Sequence, residues 1–592
     1  MKTCLCTLVL VGGISLAAVE QPSMSRPAGL DGIAVVQNPV ADPLRYYALK
    51  RKAHALMEGD RFSEAEPLAD ELVKTYPIDG DNWLMDARAK RKLGKFNEAA
   101  EAYQRAQELL GPGVPGRAQY WHASSLADAG RTVEALDTVQ QLVDADHYLH
   151  RPSLYEDDAF KALRDQSRFS AISGRIADPR WSRDEGWAHD VDYLVAEVVR
   201  VNPDFHDRPL PAAFQRLHGE LRDGVSKLSD EQIYVGMSRM LASLNQGHTN
   251  LWPFIPASKM AFKVLPLQFY MFPEGTFVVA ADTANQDLIG ARLVRIEDTP
   301  AADVLRKIRA IHAADSGMEI AWFGPMLLTL AQELKGLGIV RSVDRIGVTL
   351  RSPSGASVSR TLNTVAFTKP SKLLAAPGRE APIAFRHVDK PHWFEPLPEA
   401  SAMYVQVNQI ADDAGESLEA FGLRLRKALA DRNISNLILD LRNNNGGNTF
   451  LYVELAKTLI GFSAEAGRTL YVIIGRNVYS AAANFVADLE RLASPVFVGE
   501  PSAMTGNAYG DESAVVLPYS GIWAGVTGVK WQLGYPYDLR RAVVPQIPVA
   551  LTAADYFAGR DPVVDTIMSL CSHGSRRRDE TSAGQGSARM PD

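Results

Sequence analysis

Apolar and polar residues follow four different rhythms along this 592-residue chain, and each rhythm predicts a different kind of element. From 45 to 150 the apolar positions recur at helical spacing, interleaved with many alanines. A second helical stretch runs from about Asp184 to Leu244, where Val191, Leu194, Val195 and Val198 fall on one face. From Phe262 the pattern shortens to β-rich runs, LPLQFYMF and TFVVAA, followed by ARLVRIEDTPAADVLRKI, which reads as strand, turn and helix. After Ser401 the runs MYVQV, NLILDL, TLYVIIG and PVFVGE have strand length. They alternate with helical segments around Leu418 to Ala430, Leu451 to Ile460 and Ala481 to Leu492, which predicts an α/β layer of largely parallel strands.

The first helical region repeats itself. Asp60-Arg61-Phe62-Ser63-Glu64-Ala65 is echoed by Gly94-Lys95-Phe96-Asn97-Glu98-Ala99 and by Gly130-Arg131-Thr132-Val133-Glu134-Ala135, at steps of about 34 to 36 residues. Ala53, Ala87 and Ala123 keep one offset between the copies, as small residues must where antiparallel helices pack closely. The segment 45–150 resembles tetratricopeptide repeats, which implies a stacked helical surface suited to a protein adaptor.

Composition narrows the class. With 63 Lys and Arg against 70 Asp and Glu, the chain carries no basic footprint, so no nucleic-acid partner is expected. The start MKTCLCTLVLVGGISLAAVEQ has a positive Lys2, a short apolar run and small residues at Ala17 and Ala18, and reads as a signal peptide over 1–18. Export to the periplasm or exterior is the corresponding expectation, with no stable membrane span once the signal is cleaved. Cys4 and Cys6 would leave with it, and Cys571 alone cannot form an intramolecular disulfide. A proline-rich linker is expected over 19–44, a helical part over 180–260, a β-rich segment with a helical insert near Met326 to Leu337 over 261–395, an α/β core over 396–571 and a disordered polar tail over 572–592.

Three marks could carry chemistry. Asp440-Leu441-Arg442-Asn443-Asn444-Asn445-Gly446-Gly447 directly follows a strand, and its glycines let backbone N–H groups face a cleft. Ser480 follows the strand TLYVIIG by a short turn and opens a helix, where partial positive charge favours a developing oxyanion. Gly247-His248-Thr249 closes the second helical region. His-Glu-x-x-His runs and Gly-x-Gly-x-x-Gly loops are both missing, so no metal or other cofactor is expected.

The order of these marks, with Tyr-Ser-Ala-Ala opening a helix, then Val498-Gly499-Glu500-Pro501, Val544-Pro545-Gln546-Ile547 and Gly559-Arg560-Asp561-Pro562, resembles the tail-specific, or carboxy-terminal processing, protease family. It is most similar to members that, like the tricorn core, use a histidine. The resemblance implies a multidomain fold: a tetratricopeptide-like helical domain, a PDZ-like β-rich segment around 261–395, and an α/β core of the ClpP/crotonase type. It also implies a serine-type endopeptidase acting on unstructured or C-terminal polypeptide segments. Ser480 would attack, His248 would take its proton, and the N–H groups of Ala481 and of Gly446 or Gly447 would form the oxyanion hole.

The chain departs from that pattern in two places. Leu539 stands where the pattern has a glutamate, leaving Asp538 and Asp511 as candidate acids to orient the histidine, and Gly247 stands where it has a serine. Asp440 and Arg442 read as a structural pair at a strand end, and Asp561 with Pro562 as a helix start. The alternative is a non-catalytic scaffold of the same fold that binds a peptide or a small hydrophobic ligand.

Overall fold

The computed structural model describes residues 42–111, 118–145, 151–174, 180–253, 258–369, 372–375, 381–430 and 434–572. The expected signal peptide, almost all of the linker and the tail from 573 onward lie outside the described residues, whereas Ser572 still belongs to the last helix. The chain divides into two compact units, one made of residues 1–146 and 155–172 and the other of 147–154 and 173–592.

In the first unit, six helices follow one another as hairpins: Pro43–Glu58, Phe62–Thr75, Gly80–Lys92, Phe96–Leu110, Ala118–Asp128 and Thr132–Ala145. Each of the three repeated hexapeptides holds a tight turn and the start of the helix that follows it. Gly94 and Gly130 occupy the left-handed region at φ +76° and +75°, and Asp60 takes the same role at φ +55°. Ala53, Ala87 and Ala123, and likewise Ala65, Ala99 and Ala135, are fully buried at equivalent places, so the alanine spacing does mark where helices touch.

The second unit starts with the helices Arg183–Val201, Ala212–Gly224 and Asp230–Ala242. Capping boxes start the first and last of these, Ser182 with Glu185 and Ser229 with Gln232. Trp187, Val191, Leu194 and Val198 pack on Ile233, Met237 and Leu241 in one core. Each such fully buried side chain contributes roughly 1.5–3 kcal/mol.

The β-rich segment is an antiparallel sheet including Leu267–Phe272, Gly275–Ala281, Arg292–Ile296, Arg345–Arg351 and Ser357–Asn363. The helical insert consists of Met318–Leu327 and Ala331–Gly336, so it begins some eight residues earlier than the sequence suggests.

The last part holds a six-stranded sheet in sequence order: His392–Leu397, Ala402–Val407, Asn436–Asp440, Thr469–Ile474, Val496–Gly499 and Ile547–Pro548. The first pair is antiparallel and every later pair parallel. The core strands are mostly apolar, as strands covered by helices must be, among them Leu418–Ala430, Val453–Ser463 and Ala481–Leu492. Arg442 pins the sheet's carboxyl end: it bonds Asp440 at 2.9 Å and Asp561 at 2.9 Å, and Tyr404 donates to Asp440 at 2.7 Å. Asp561 also accepts from the N–H groups of Val563 and Val564, which makes it the cap of the final helix.

Candidate active site

The strand Thr469–Ile474 runs out at its carboxyl end into a short turn, and Ser480 sits at φ +49°, ψ −128° just before the helix Ala481–Leu492. That conformation costs a non-glycine residue roughly 1–3 kcal/mol and persists only where the surroundings impose it. Here they do: the Ser480 carbonyl accepts from Ala483 at 2.9 Å and Asn484 at 3.1 Å, and Ala503 ties down the Val478 carbonyl at 3.1 Å. The turn presents the Ser480 hydroxyl to a cleft, at the positive end of the helix. The Ala481 N–H has no hydrogen-bond partner among the described residues.

The glycine loop packs against this turn. A Cβ on Gly446, at φ +117°, would lie 2.7 Å from the Ser480 Cβ and 3.2 Å from the Ala481 nitrogen, so only glycine allows the approach. The loop's own bonding separates the two candidate donors. The Gly446 N–H is committed to the Asn444 side chain at 2.9 Å, which removes it from the expected oxyanion hole. The Gly447 N–H has no partner among the described residues. Asn444 is buried and holds the loop by donating to the Val407 carbonyl at 2.9 Å.

His248 arrives from the other side of the cleft. Its turn is fixed by Asn250, which donates to the carbonyls of Gly247 at 2.7 Å and Ala313 at 3.2 Å. The strand Asn250–Trp252 then pairs with Trp523–Lys530, and Thr249 accepts from the Thr527 N–H at 3.1 Å. The imidazole is 7% exposed and lies face to face with the Tyr479 ring, centroids 4.4 Å apart. Its Nδ1 meets the Tyr479 hydroxyl at 2.8 Å. Burial pushes its pKa down to about 4, with the Tyr509 backbone opposing only in part, so the ring is neutral near pH 7, as a base must be. Ser480 and His248 line one cleft of about 530 Å³, but no hydrogen bond joins them in this arrangement.

The two acids expected to orient His248 do not reach it. Asp538 is bound to Arg540 at 3.0 Å, and Arg540 also holds Glu490, outside the cleft. Asp511 does line the cleft, at φ +49°, but its carboxylate accepts from the Trp531 indole at 2.8 Å.

Two acids packed against Gly247, the residue before the histidine, are ones that sequence reading passed over. Asp315 accepts from the Gly247 N–H at 3.2 Å, and Glu319 accepts from the Ser316 N–H at 3.2 Å and also bonds that of Asp315. A Cβ on Gly247 would stand 2.6 Å from the Tyr479 hydroxyl and 2.7 Å from both Asp315 Oδ2 and Glu319 Oε2. Three oxygens therefore crowd one point beside His248, and both carboxylate oxygens are buried without a partner among the described residues. Burial raises the Asp315 pKa to about 6. It raises Glu319 well above the carboxylate range, with the charge of Asp315 adding to it. The pair thus retains a proton near neutrality. Tyr479 stays protonated through burial first and the neighbouring acids second. Glu512, also missed, lines the cleft with its carboxylate on the Trp252 indole at 3.1 Å. The only sequence signal for any of these was position: Tyr479 precedes Ser480, and Glu512 follows Asp511. Among the described residues no three His, Cys, Asp or Glu side chains converge as metal ligands.

Residues 401–468 match the model of Peptidase family S41. That stretch is similar to the S41 family. The matched stretch holds the strand Ala402–Val407 and the glycine loop, and includes neither Ser480 nor His248. Among solved structures, a serine-to-alanine mutant of CPAF is similar at 12% identity, over 66% of this chain and 97% of that one, with a TM-score of 0.50. The photosystem II D1 C-terminal processing protease is similar at 17% identity over 61% of this chain and 93% of that one, TM-score 0.32. The tricorn protease is similar at 12% identity over 67% of this chain and 37% of that one, TM-score 0.33. No curated protein sequence matches the chain. None of the described helices is long and apolar enough to cross a membrane.

Proposed function

We propose that this chain is an exported serine endopeptidase of the S41 kind that cuts unstructured or C-terminal polypeptide segments, with Ser480 as nucleophile and His248 as its base. The observation that carries the reading is the strained backbone of Ser480, which aims its hydroxyl into the cleft shared with His248, beside the unpaired N–H of Ala481.

The chemistry follows from those positions. The Ser480 hydroxyl attacks the scissile carbonyl while the neutral imidazole takes its proton; the oxyanion is met by the N–H groups of Ala481 and Gly447. The protonated imidazole then gives its proton to the leaving amine, and water hydrolyses the acyl-enzyme by the same steps in turn. For the first step the ring has to engage Ser480, and such contacts commonly tighten only when substrate is bound. Tyr479 holds the ring's other nitrogen in the place of the expected acid, with Asp315 and Glu319 crowded close by around Gly247.

A tail-binding groove is supported by the strand Leu267–Phe272, whose outer edge flanks a cleft of about 440 Å³ beside the helix Met318–Leu327. An extended segment could add there as a strand in the PDZ manner, and the groove's lining continues to Arg476 and Asn477, just ahead of Ser480. In the first unit, a groove lined by Met57, Met85, Tyr103 and Trp121 suits a protein adaptor, in keeping with tetratricopeptide-like repeats. The bond of His248 to Tyr479 instead of Ser480 is what a non-catalytic scaffold would keep, so the two readings need separating.

Digestion of an unstructured protein by the full chain, beside Ser480→Ala and His248→Ala, with product ends read by mass spectrometry, does so. Fragments from the parent and none from either variant are expected. Equal cutting by parent and Ser480→Ala, or none by any of the three, overturns the assignment.

A further inference from the structure

We propose that the cleft around Ser480 selects a cationic side chain, lysine or arginine, next to the bond that is cut, with Glu512 as the residue that recognises it. This rests on the peptidase reading above and names the substrate class of that site. Glu512 and Asp511 line the cleft, whereas no lysine or arginine does, and neither carboxylate has a cationic partner among the described residues. A carboxylate withdrawn from water without a cation is costly, and a substrate cation that pairs with it recovers that cost.

The walls have the chemistry that such a cation would meet. Trp252 and Trp523 stand opposite each other across two paired strands, and Trp322 and Phe323 close the cleft from the helix Met318–Leu327. Aromatic faces attract ammonium and guanidinium groups through the ring quadrupole. Two backbone features make room for the carboxylate. Asp511 takes a positive φ within an in-register strand pair, and both acids line the same cleft. Gly525 lies under Glu512, where any Cβ would come within 2.2 Å of the carboxylate oxygen. The Trp252 indole holds that oxygen at 3.1 Å and fixes its direction. Burial pushes the Glu512 pKa up to about 7, the mark of a carboxylate that lacks a cation.

The test uses the full chain and pairs of unstructured peptides that differ at one position beside the cut, lysine against norleucine, a neutral side chain of nearly the same length. The expected result is a kcat/KM at least about tenfold higher for the lysine peptide, a ratio that collapses towards one in Glu512→Gln and inverts in Glu512→Lys. Calorimetry of the same peptides on Ser480→Ala protein separates recognition from chemistry, and tighter binding of the lysine peptide is expected there too. Equal cleavage and equal binding of the two peptides overturn this inference and leave the peptidase reading standing. Cleavage of neither, with tighter lysine binding retained, keeps the recognition site and overturns the peptidase reading. Cleavage of neither with equal binding overturns both.

Discussion

Gly247→Ala puts one methyl group into the crowded point beside His248. The new Cβ would lie 2.6 Å from the Tyr479 hydroxyl and 2.7 Å from Asp315 Oδ2 and Glu319 Oε2, closer than carbon and oxygen approach without bonding. All three oxygens are buried and their side chains hemmed in, so the neighbours have to shift, at the roughly 1–3 kcal/mol that overpacking costs. Movement of Asp315 also weakens its bond from the Gly247 N–H, worth about 1 kcal/mol or more for a charged acceptor. The summed expectation is a loss of about 2–4 kcal/mol in stability. Because Tyr479 holds the histidine, a displacement approaching 1 Å should lower kcat/KM by on the order of a hundredfold. Denaturant unfolding followed by tryptophan fluorescence reads the first, and peptide hydrolysis the second. The double variant Gly247→Ala with Glu319→Ala should regain part of both, since removal of one carboxylate reopens the space. A single variant within about 0.5 kcal/mol of the parent and equally active would refute the packing described around His248.

Three further outcomes follow from the same packing and charges. Ser480→Gly relieves a left-handed strain and should unfold about 1 kcal/mol later than the parent in denaturant while losing peptidase activity; a less stable variant would mean that the strain is not real. Glu512 has a raised pKa of about 7, so its cost to the fold is absent below the unfolded value near 4.5 and grows as pH rises through 7. Glu512→Gln should therefore gain about 1–3 kcal/mol over the parent at pH 8 and nothing at pH 4, and unfolding curves at the two pH values would expose a constant difference as a contradiction. Arg476 bridges Glu500 at 2.6 Å and the Met271 carbonyl, so Arg476→Ala strands a mostly buried carboxylate and should cost about 3–5 kcal/mol by chemical denaturation; a loss below 1 kcal/mol would contradict the bridge.

The α/β layer was legible because its strands are covered on both faces: NLILDL and TLYVIIG are apolar without alternation, and the helices between them keep one apolar stripe. The repeated turns were legible for a different reason, since a left-handed residue after each first helix selects glycine or aspartate at a fixed step. Ser480 stood out by its place between strand and helix, and Gly446 by its need to approach the serine. The acid beside His248 was not legible. Asp315 and Glu319 lie more than 60 residues along the chain from the histidine, in a stretch without motif; Asp315 bonds the neighbouring Gly247, and Ala313 is bonded to Asn250 across the fold. Asp538 looked suitable by its place in the sequence, yet Arg540, two residues away, captures it. That local pairing is invisible until the loop's path is known.

The most direct test of the central claim is to find the activated serine itself. An aryl phosphonate bonds covalently to a serine whose proton a base removes, and peptide mapping by mass spectrometry locates the adduct. The expected result is one adduct, on the peptide that spans Ser480, much reduced in His248→Ala. An adduct on another serine that tracks with proteolysis, or proteolysis that survives full modification of Ser480, would contradict the account.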